Sequence, residues 1–222
     1  MSLIELRKIS FEYEAGEPVL TELDLCLEEG QCLLVLGDNG SGKTTLFRIL
    51  NGLSFPQAGS YYFDGEEINA AYLKENTRAK RFHKRIGYLF QNTDTMLFNS
   101  RVWDEVAFGP RQMGLKDEEV TVRVEDCLKL LGIEDLKEKV PYHLSGGQKK
   151  LVALASVLAL NPEVLVMDEP FSGLDRTRKE MLRKLMAELK ERGKTLIIAT
   201  HEEDKIKELA DKVLDMEIPA SA

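Results

Sequence analysis

The chain has 222 residues, 43% hydrophobic and 31% charged, and its 30 basic and 38 acidic side chains give a net charge of −8. That length can bury a stable core in one or two lobes without disulfides, and an acidic balance argues against wrapping nucleic acid, which needs a basic face. No apolar stretch reaches the roughly 18 residues that span a bilayer, and MSLIELRKIS has no signal-peptide core, so a membrane role is expected only through a partner. Cys26, Cys32 and Cys127 have no metal-type spacing and are expected to be buried, reduced thiols of a cytosolic protein.

From the N-terminus, residues 3–13 alternate at Ile9, Phe11 and Tyr13, and Leu23, Leu25 and Leu27 repeat the pattern, which predicts two half-buried antiparallel strands. Glu29-Gly30 turns the chain. Cys32 to Leu36 is then apolar without a break, as in a strand buried on both faces. A glycine-rich loop leads into a helix through Leu46, Ile49 and Leu50 that stops near Gly52, and Tyr61–Phe63 and Ile86–Phe90 read as further strands.

From about Asn92 to Leu160 the spacing turns helical. Val120, Val124, Cys127, Leu128 and Leu131 share one face before Gly132, and a second helix is expected from Ser145 to the stop at Asn161-Pro162. Val164–Met167 is another buried strand. Arg176–Arg192 is an amphipathic helix with Met181, Leu182, Leu185 and Leu189 inward. Thr195–Ala199, a short charged helix and a last strand from Val213 to Ile218 complete the pattern. Buried strands alternating with helices predict an α/β fold with a mostly parallel sheet, an N-terminal antiparallel β subdomain and an inserted α-helical subdomain.

Gly37-Asp38-Asn39-Gly40-Ser41-Gly42-Lys43-Thr44 has P-loop spacing between a predicted strand and helix. Glycines let the backbone approach phosphate oxygens, and successive N–H groups form an anion nest at the helix start. Lys43 is expected on the β- and γ-phosphates and the Thr44 hydroxyl on Mg²⁺, with Thr45 beside them in the ATP-binding set. A plain glycine turn before a helix is the bland alternative.

Val164 to Met167 ends in Asp168-Glu169, the shape of a Walker B strand. Asp168 is expected to hold Mg²⁺, and Glu169 to polarise the water that attacks the γ-phosphate. A strand followed by a solvated acidic turn would look the same in isolation. Together the two motifs predict a P-loop NTPase core.

Leu144-Ser145-Gly146-Gly147-Gln148 opens the second helix. Ser145 and Gln148 fit a capping box, yet two adjacent glycines weaken a helix start unless something approaches the backbone closely. This pentapeptide resembles the signature of the ABC ATPases. The resemblance implies that Ser145 and the helix N-terminus meet the γ-phosphate of ATP held by an opposite subunit.

Further roles follow from the same resemblance. Tyr13 takes the adenine-stacking position, and Gln91 the Q-loop position that touches Mg²⁺ or its water. Ser172-Gly173-Leu174-Asp175 resembles the D-loop, with Asp175 also readable as a helix N-cap. His201 takes the switch-histidine position, so Glu169, His201 and Lys43 form the expected catalytic set. His83 and His143 receive no role. The sequence departs from the family at Leu151, where arginine is common, and at Glu202, where aspartate is common.

The resemblance spans nearly the whole chain and implies a single ABC ATPase domain over 1–222. Residues 1–91 and 161–222 would form the nucleotide-binding core and 92–160 the helical signature subdomain. It implies ATP and Mg²⁺ as ligands, and a head-to-tail dimer with itself or a homologous subunit. It also implies integral membrane partners, no nucleic acid, and a peripheral place at the cytoplasmic membrane face. Phe90-Gln91-Asn92, Leu97-Phe98, Val102 and Asp104-Glu105-Val106-Ala107-Phe108-Gly109-Pro110 resemble the energy-coupling-factor and cobalt-type importer ATPases, which serve vitamins and transition-metal ions. The end at Ala222 is short for that group, and no C-terminal dimerisation extension is expected. Two other readings stay open on the residues: a soluble ABC ATPase outside transport, and a small-molecule P-loop kinase that would leave the signature helix unexplained.

Overall fold

The computed structural model describes residues 2–202, 204 and 206–216. Two sheets carry the fold. An antiparallel sheet has the order β2-β1-β4-β5 (Pro18–Glu28, Ser2–Glu12, Ala58–Phe63, Glu66–Glu67), and a parallel sheet the order β6-β7-β8-β3-β9 (Ile86–Leu89, Val164–Asp168, Thr195–Ala199, Cys32–Leu36, Lys212–Asp215). The strands of the second sheet pair in parallel, β6 with β7, β7 with β8, β8 with β3 and β3 with β9.

In β1 the buried residues run Leu3, Ile4, Leu6 and then Ile9, Phe11, so the alternation changes phase between Leu6 and Ile9. A register shift lies at that point, and Lys8 has a positive φ of 47°. A bulge of this kind re-aims the strand so that both halves face one core.

The strands β6, β7, β8 and β3 are buried on both faces and are apolar at nearly every position, while β9 at the sheet edge is partly exposed. Leu33, Val35, Val164, Val166, Ile197 and Ala199 face one core with α1 (Lys43–Leu50) and the antiparallel sheet. Leu34, Leu165, Met167, Leu196 and Ile198 face the other, with α4 (Val102–Gln112), α5 (Asp117–Leu130), α6 (Gly146–Leu158) and α7 (Arg176–Glu191). The inserted helices therefore share a core with the sheet. Leu151, fully buried in that core, shows why an apolar residue stands where a charged one was expected.

Several expectations need correction. Cys26 is exposed, while Cys32 and Cys127 are buried. Tyr13 lies just past β1 and Phe90 just past β6. Two short helices, α2 (Ala70–Lys74) and α3 (Asn76–Arg85), precede β6 where none was expected. The stretch after Asn92 begins with a single 3₁₀ turn, and helix proper starts only at Val102. In α7, Met186 is buried, with Met181 and Leu189 only partly so. The expected charged helix lies partly, and the strand end at Ile218 wholly, outside the described residues. Among the described residues no helix is long and apolar enough to cross a membrane.

Candidate active site

In a parallel sheet all strands end on the same edge, which is where open α/β sheets bind ligands. Val35 on β3 and Asp168 on β7 both pair with Ala199 on β8, and Leu89 on β6 pairs with Met167. The segments leaving these strands, the glycine loop, Gln91, Asp168-Glu169 and Thr200-His201, are thereby set side by side.

The loop owes its shape to glycine. Gly37, Gly40 and Gly42 have φ of 136°, 87° and 93°, a region L side chains rarely adopt. Gly42 is the N-cap of α1 and no side chain caps that helix, so its first N–H groups point toward the cleft as an anion site. The Lys43 ammonium donates to the carbonyls of Gly37 (2.6 Å) and Asp38 (2.8 Å). The Thr44 hydroxyl donates to Asp168 Oδ2 at 3.0 Å.

A cleft of about 530 Å³ gathers Tyr13, Asn39, Gly40, Gly42, Lys43, Thr44, Thr45, Gln91, Asp168, Glu169 and His201. All were singled out in the sequence. Val19, which also lines the cleft, was not; it packs close behind Gly42. Gly37, Asp38 and Ser41, also singled out, belong to the loop but do not line the cleft. Tyr13 is 62% exposed, its hydroxyl 3.2 Å from Thr45 Oγ1 and its ring edge-on to Phe11, so a broad aromatic face stands open at the cleft mouth.

At the opposite wall the Glu169 carboxylate accepts from the His201 N–H (3.1 Å) and the Thr200 hydroxyl (3.4 Å). The His201 ring lies 3.6 Å from Glu169 Oε1 and 3.3 Å from Asn39 Oδ1. Burial raises the Glu169 carboxyl above the ordinary range; His201 opposes this and Asp168 adds to it. Burial also raises Asp168, against donation from Thr44 and the charges of Lys43 and Lys150. A carboxylate made more basic in this way suits proton abstraction better than a solvated one. Thr200 went unnoticed in the sequence, although it immediately precedes His201. Glu202 extends away from the cleft to Lys179 Nζ at 2.7 Å.

Leu144–Gln148 and Ser172–Asp175 do not line this cleft. Ser145 caps α6 as expected: its N–H donates to Gln148 Oε1 (3.0 Å) and its hydroxyl accepts from the Gln148 N–H (3.4 Å). Asp175 caps α7 by accepting from the Arg178 N–H at 2.9 Å. The two signature glycines differ, against the expectation that both serve approach from outside. A Cβ on Gly146 would meet nothing within 4 Å, whereas one on Gly147 would stand 2.7 Å from the Gly173 carbonyl oxygen. Gly147 is needed for packing against the 172–175 turn of its own chain; Gly146, with exposed Ser145, is the open part.

Comparison with known proteins agrees with this arrangement. The sequence model described as ABC transporter matches residues 20–172. The nickel import ATP-binding protein LarO of Lactiplantibacillus plantarum is 44% identical over 212 residues, covering 96% of this chain and 88% of its own. CbiO1 of Clostridium perfringens, part of the transporter complex CbiONQ, superposes with a TM-score of 0.83 at 35% identity, over 98% of this chain and 86% of that one. The ATP-binding cassette MJ0796, in a dimeric post-hydrolysis state with ADP and Pi, gives a TM-score of 0.88 at 27% identity, over 97% and 96%. With a phosphate loop facing two carboxylates at one sheet edge and a capped glycine pair opening a separate helix, this chain belongs to the ABC transporter family as an ATP-binding, ATP-hydrolysing subunit.

Proposed function

We propose that this chain energises a membrane importer of transition-metal ions or vitamins, as a peripheral subunit at the cytoplasmic face, paired head to tail with a second copy or a homologous ATPase. Residues 1–91 and 161–222 act as the nucleotide-binding core and 92–160 as the helical signature subdomain. One observation carries the reading. The P-loop and its carboxylates share a cleft, while the other phosphate-recognising element, the Ser145-Gly146 helix start, stands exposed outside it. Each γ-phosphate is then completed only by a second chain. The import role and solute class are supported by the likeness to LarO and CbiO1.

In this reading ATP stacks its adenine on Tyr13 and lays its phosphates on the N–H groups of residues 37–45. Lys43 neutralises the β- and γ-phosphates. Thr44 Oγ1 and Asp168 Oδ2, hard oxygens 3.0 Å apart, fit Mg²⁺, with Gln91 as a further oxygen donor. The metal supplies charge neutralisation on the phosphates. Glu169 takes a proton from a water whose oxygen attacks the γ-phosphorus, and the bond from that phosphorus to the ADP oxygen breaks. His201 holds the Glu169 carboxylate through its own N–H and faces Asn39 with its ring. Because both halves grip the γ-phosphate, its loss lets them part.

Glu169→Gln is expected to lower hydrolysis by about 10²- to 10⁴-fold while keeping ATP binding. That variant should elute as an ATP-dependent dimer, and adding Ser145→Arg should return it to monomer. Normal turnover in Glu169→Gln, or a dimer that survives Ser145→Arg, would sink the reading.

A further inference from the structure

Lys150 lies on α6 two residues past Gln148 and is only 4% exposed. Lysines are almost never this buried without a partner. No carboxylate lies within ion-pair distance among the described residues. Instead the Lys150 Nζ donates to the main-chain carbonyl of Glu169 at 2.9 Å and to that of Gln91 at 3.3 Å. A helix of the inserted region is thus tied by one ammonium to the ends of β6 and β7, at two residues placed in the chemistry above.

The backbone that Lys150 holds is under strain. Glu169 has φ of +49°, in the left-handed region that L residues avoid. It also precedes Pro170, and a residue before proline is steered toward extended conformations. Such a conformation persists only where its surroundings over-determine it. Here the Glu169 N–H donates to the Ala199 carbonyl at 2.9 Å, and its carboxylate is held by Thr200 and His201. Lys150 Nζ is the side-chain donor to its carbonyl. The Ser172 N–H also donates to that carbonyl, at 3.2 Å. With the Lys150 bond removed the carbonyl keeps only this longer bond, so the peptide linking Glu169 to Pro170 is held less tightly against relaxation toward the extended form, and the carboxylate shifts with it.

We propose that Lys150 is a positioning residue for ATP hydrolysis: its buried ammonium fixes the strained Glu169 backbone and ties it, with the Gln91 backbone, to the signature helix. A displacement of α6 then reaches the Glu169 carboxylate directly. The inference rests on the assignment of Glu169 as the base.

The test uses the purified full chain and measures kcat, KM for ATP and melting temperature. Lys150→Met keeps length and apolar contact but removes the donors. It is expected to lower kcat by about 10- to 100-fold, the loss typical of a catalytic group misplaced by on the order of 1 Å, with KM changed less than about twofold. In the Glu169→Gln background the same substitution should cost less than about twofold, because the group it positions is gone. Lys150→Gln retains an N–H donor and serves if Lys150→Met does not fold; it should lose about three- to tenfold in kcat at unchanged KM. A folded variant with wild-type kcat, a parallel change in kcat and KM, or losses that multiply with Glu169→Gln would overturn the role. If Glu169→Gln itself turns over normally, the base assignment fails; if it is inactive while Lys150→Met is not, only the positioning role fails.

Discussion

The contrast between Gly146 and Gly147 yields the sharpest stability prediction. Both glycines open α6, and alanine at either gains up to about 1 kcal/mol in helix propensity. That gain cancels when the two alanine variants are compared with each other. What remains is packing. The Gly146 Cβ would enter open space, while the Gly147 Cβ would stand 2.7 Å from the Gly173 carbonyl oxygen and 3.4 Å from Leu174 Cδ2. The 2.7 Å neighbour is backbone and cannot swing aside, so α6 or the 172–175 turn must shift. Overpacking of this kind costs about 1–3 kcal/mol. For a chain of this size each kcal/mol moves the melting point by about 2–4 °C, so Gly147→Ala should melt about 4–8 °C below Gly146→Ala for a 2 kcal/mol clash. Differential scanning calorimetry of the two nucleotide-free variants reads this directly. Gly147→Ala melting at or above Gly146→Ala would show that the turn yields freely and that the packing argument is wrong.

Two further outcomes concern other parts of the molecule. Tyr13→Ala removes a mostly exposed ring and should shift stability by less than about 0.5 kcal/mol, yet weaken ATP binding by about 5- to 100-fold, the loss expected for one base–aromatic stack; an unchanged Kd by titration calorimetry would remove Tyr13 from the adenine site. Asp211 accepts from the Cys32 N–H (2.7 Å) and from Lys190 Nζ (2.9 Å); burial pushes its carboxyl up, but these donors prevail and hold it below the ordinary range. A depressed carboxylate stabilises the fold at neutral pH and loses that contribution as pH falls through its folded pKa, so the melting-point gap between wild type and Asp211→Ala should be widest at about pH 7 and shrink below about pH 4. A gap that widens on acidification would contradict that sign.

Which parts of this were readable in the sequence follows from how local each cause is. The phosphate loop and the Ser145 capping box are written in consecutive residues, so spacing alone exposed them. Cys26 was readable and misread: it sits between Leu25 and Leu27 in an alternating strand, so its side chain had to point outward. α3 left little trace because Phe82 is its sole buried side chain among the described residues, too little for an apolar stripe. The difference between Gly146 and Gly147 depends on a turn 26 residues further along, at Gly173, and no local pattern reports it. Nothing in the sequence sets Lys150 apart from the adjacent Lys149. Its burial comes from being overlaid by segments that follow β6 and β7, and such convergence of distant segments has no sequence period.

The same logic explains why Glu169 is where local preference and native conformation part. Before Pro170 the residue prefers an extended backbone, and its left-handed φ costs about 1–3 kcal/mol. Against this stand the bonds from its N–H to Ala199 and to its carbonyl from the Ser172 N–H, each worth about 0.5–1.5 kcal/mol net, and those to its carboxylate from Thr200 and His201, which involve a charged group and are worth about 1.5–3 kcal/mol each. The bond from the Lys150 ammonium, as a charged donor, adds about 1.5–3 kcal/mol. The bonds other than that from Lys150 come from β8, the residues that follow it and the turn at Ser172, and by themselves outweigh the strain. The Lys150 bond comes from the inserted helix and is the one that couples this conformation to the position of α6. In the proposed positioning role, a displacement of α6 therefore removes one of several anchors of the Glu169 conformation rather than all of them, which is why Lys150→Met is expected to lower kcat without abolishing it.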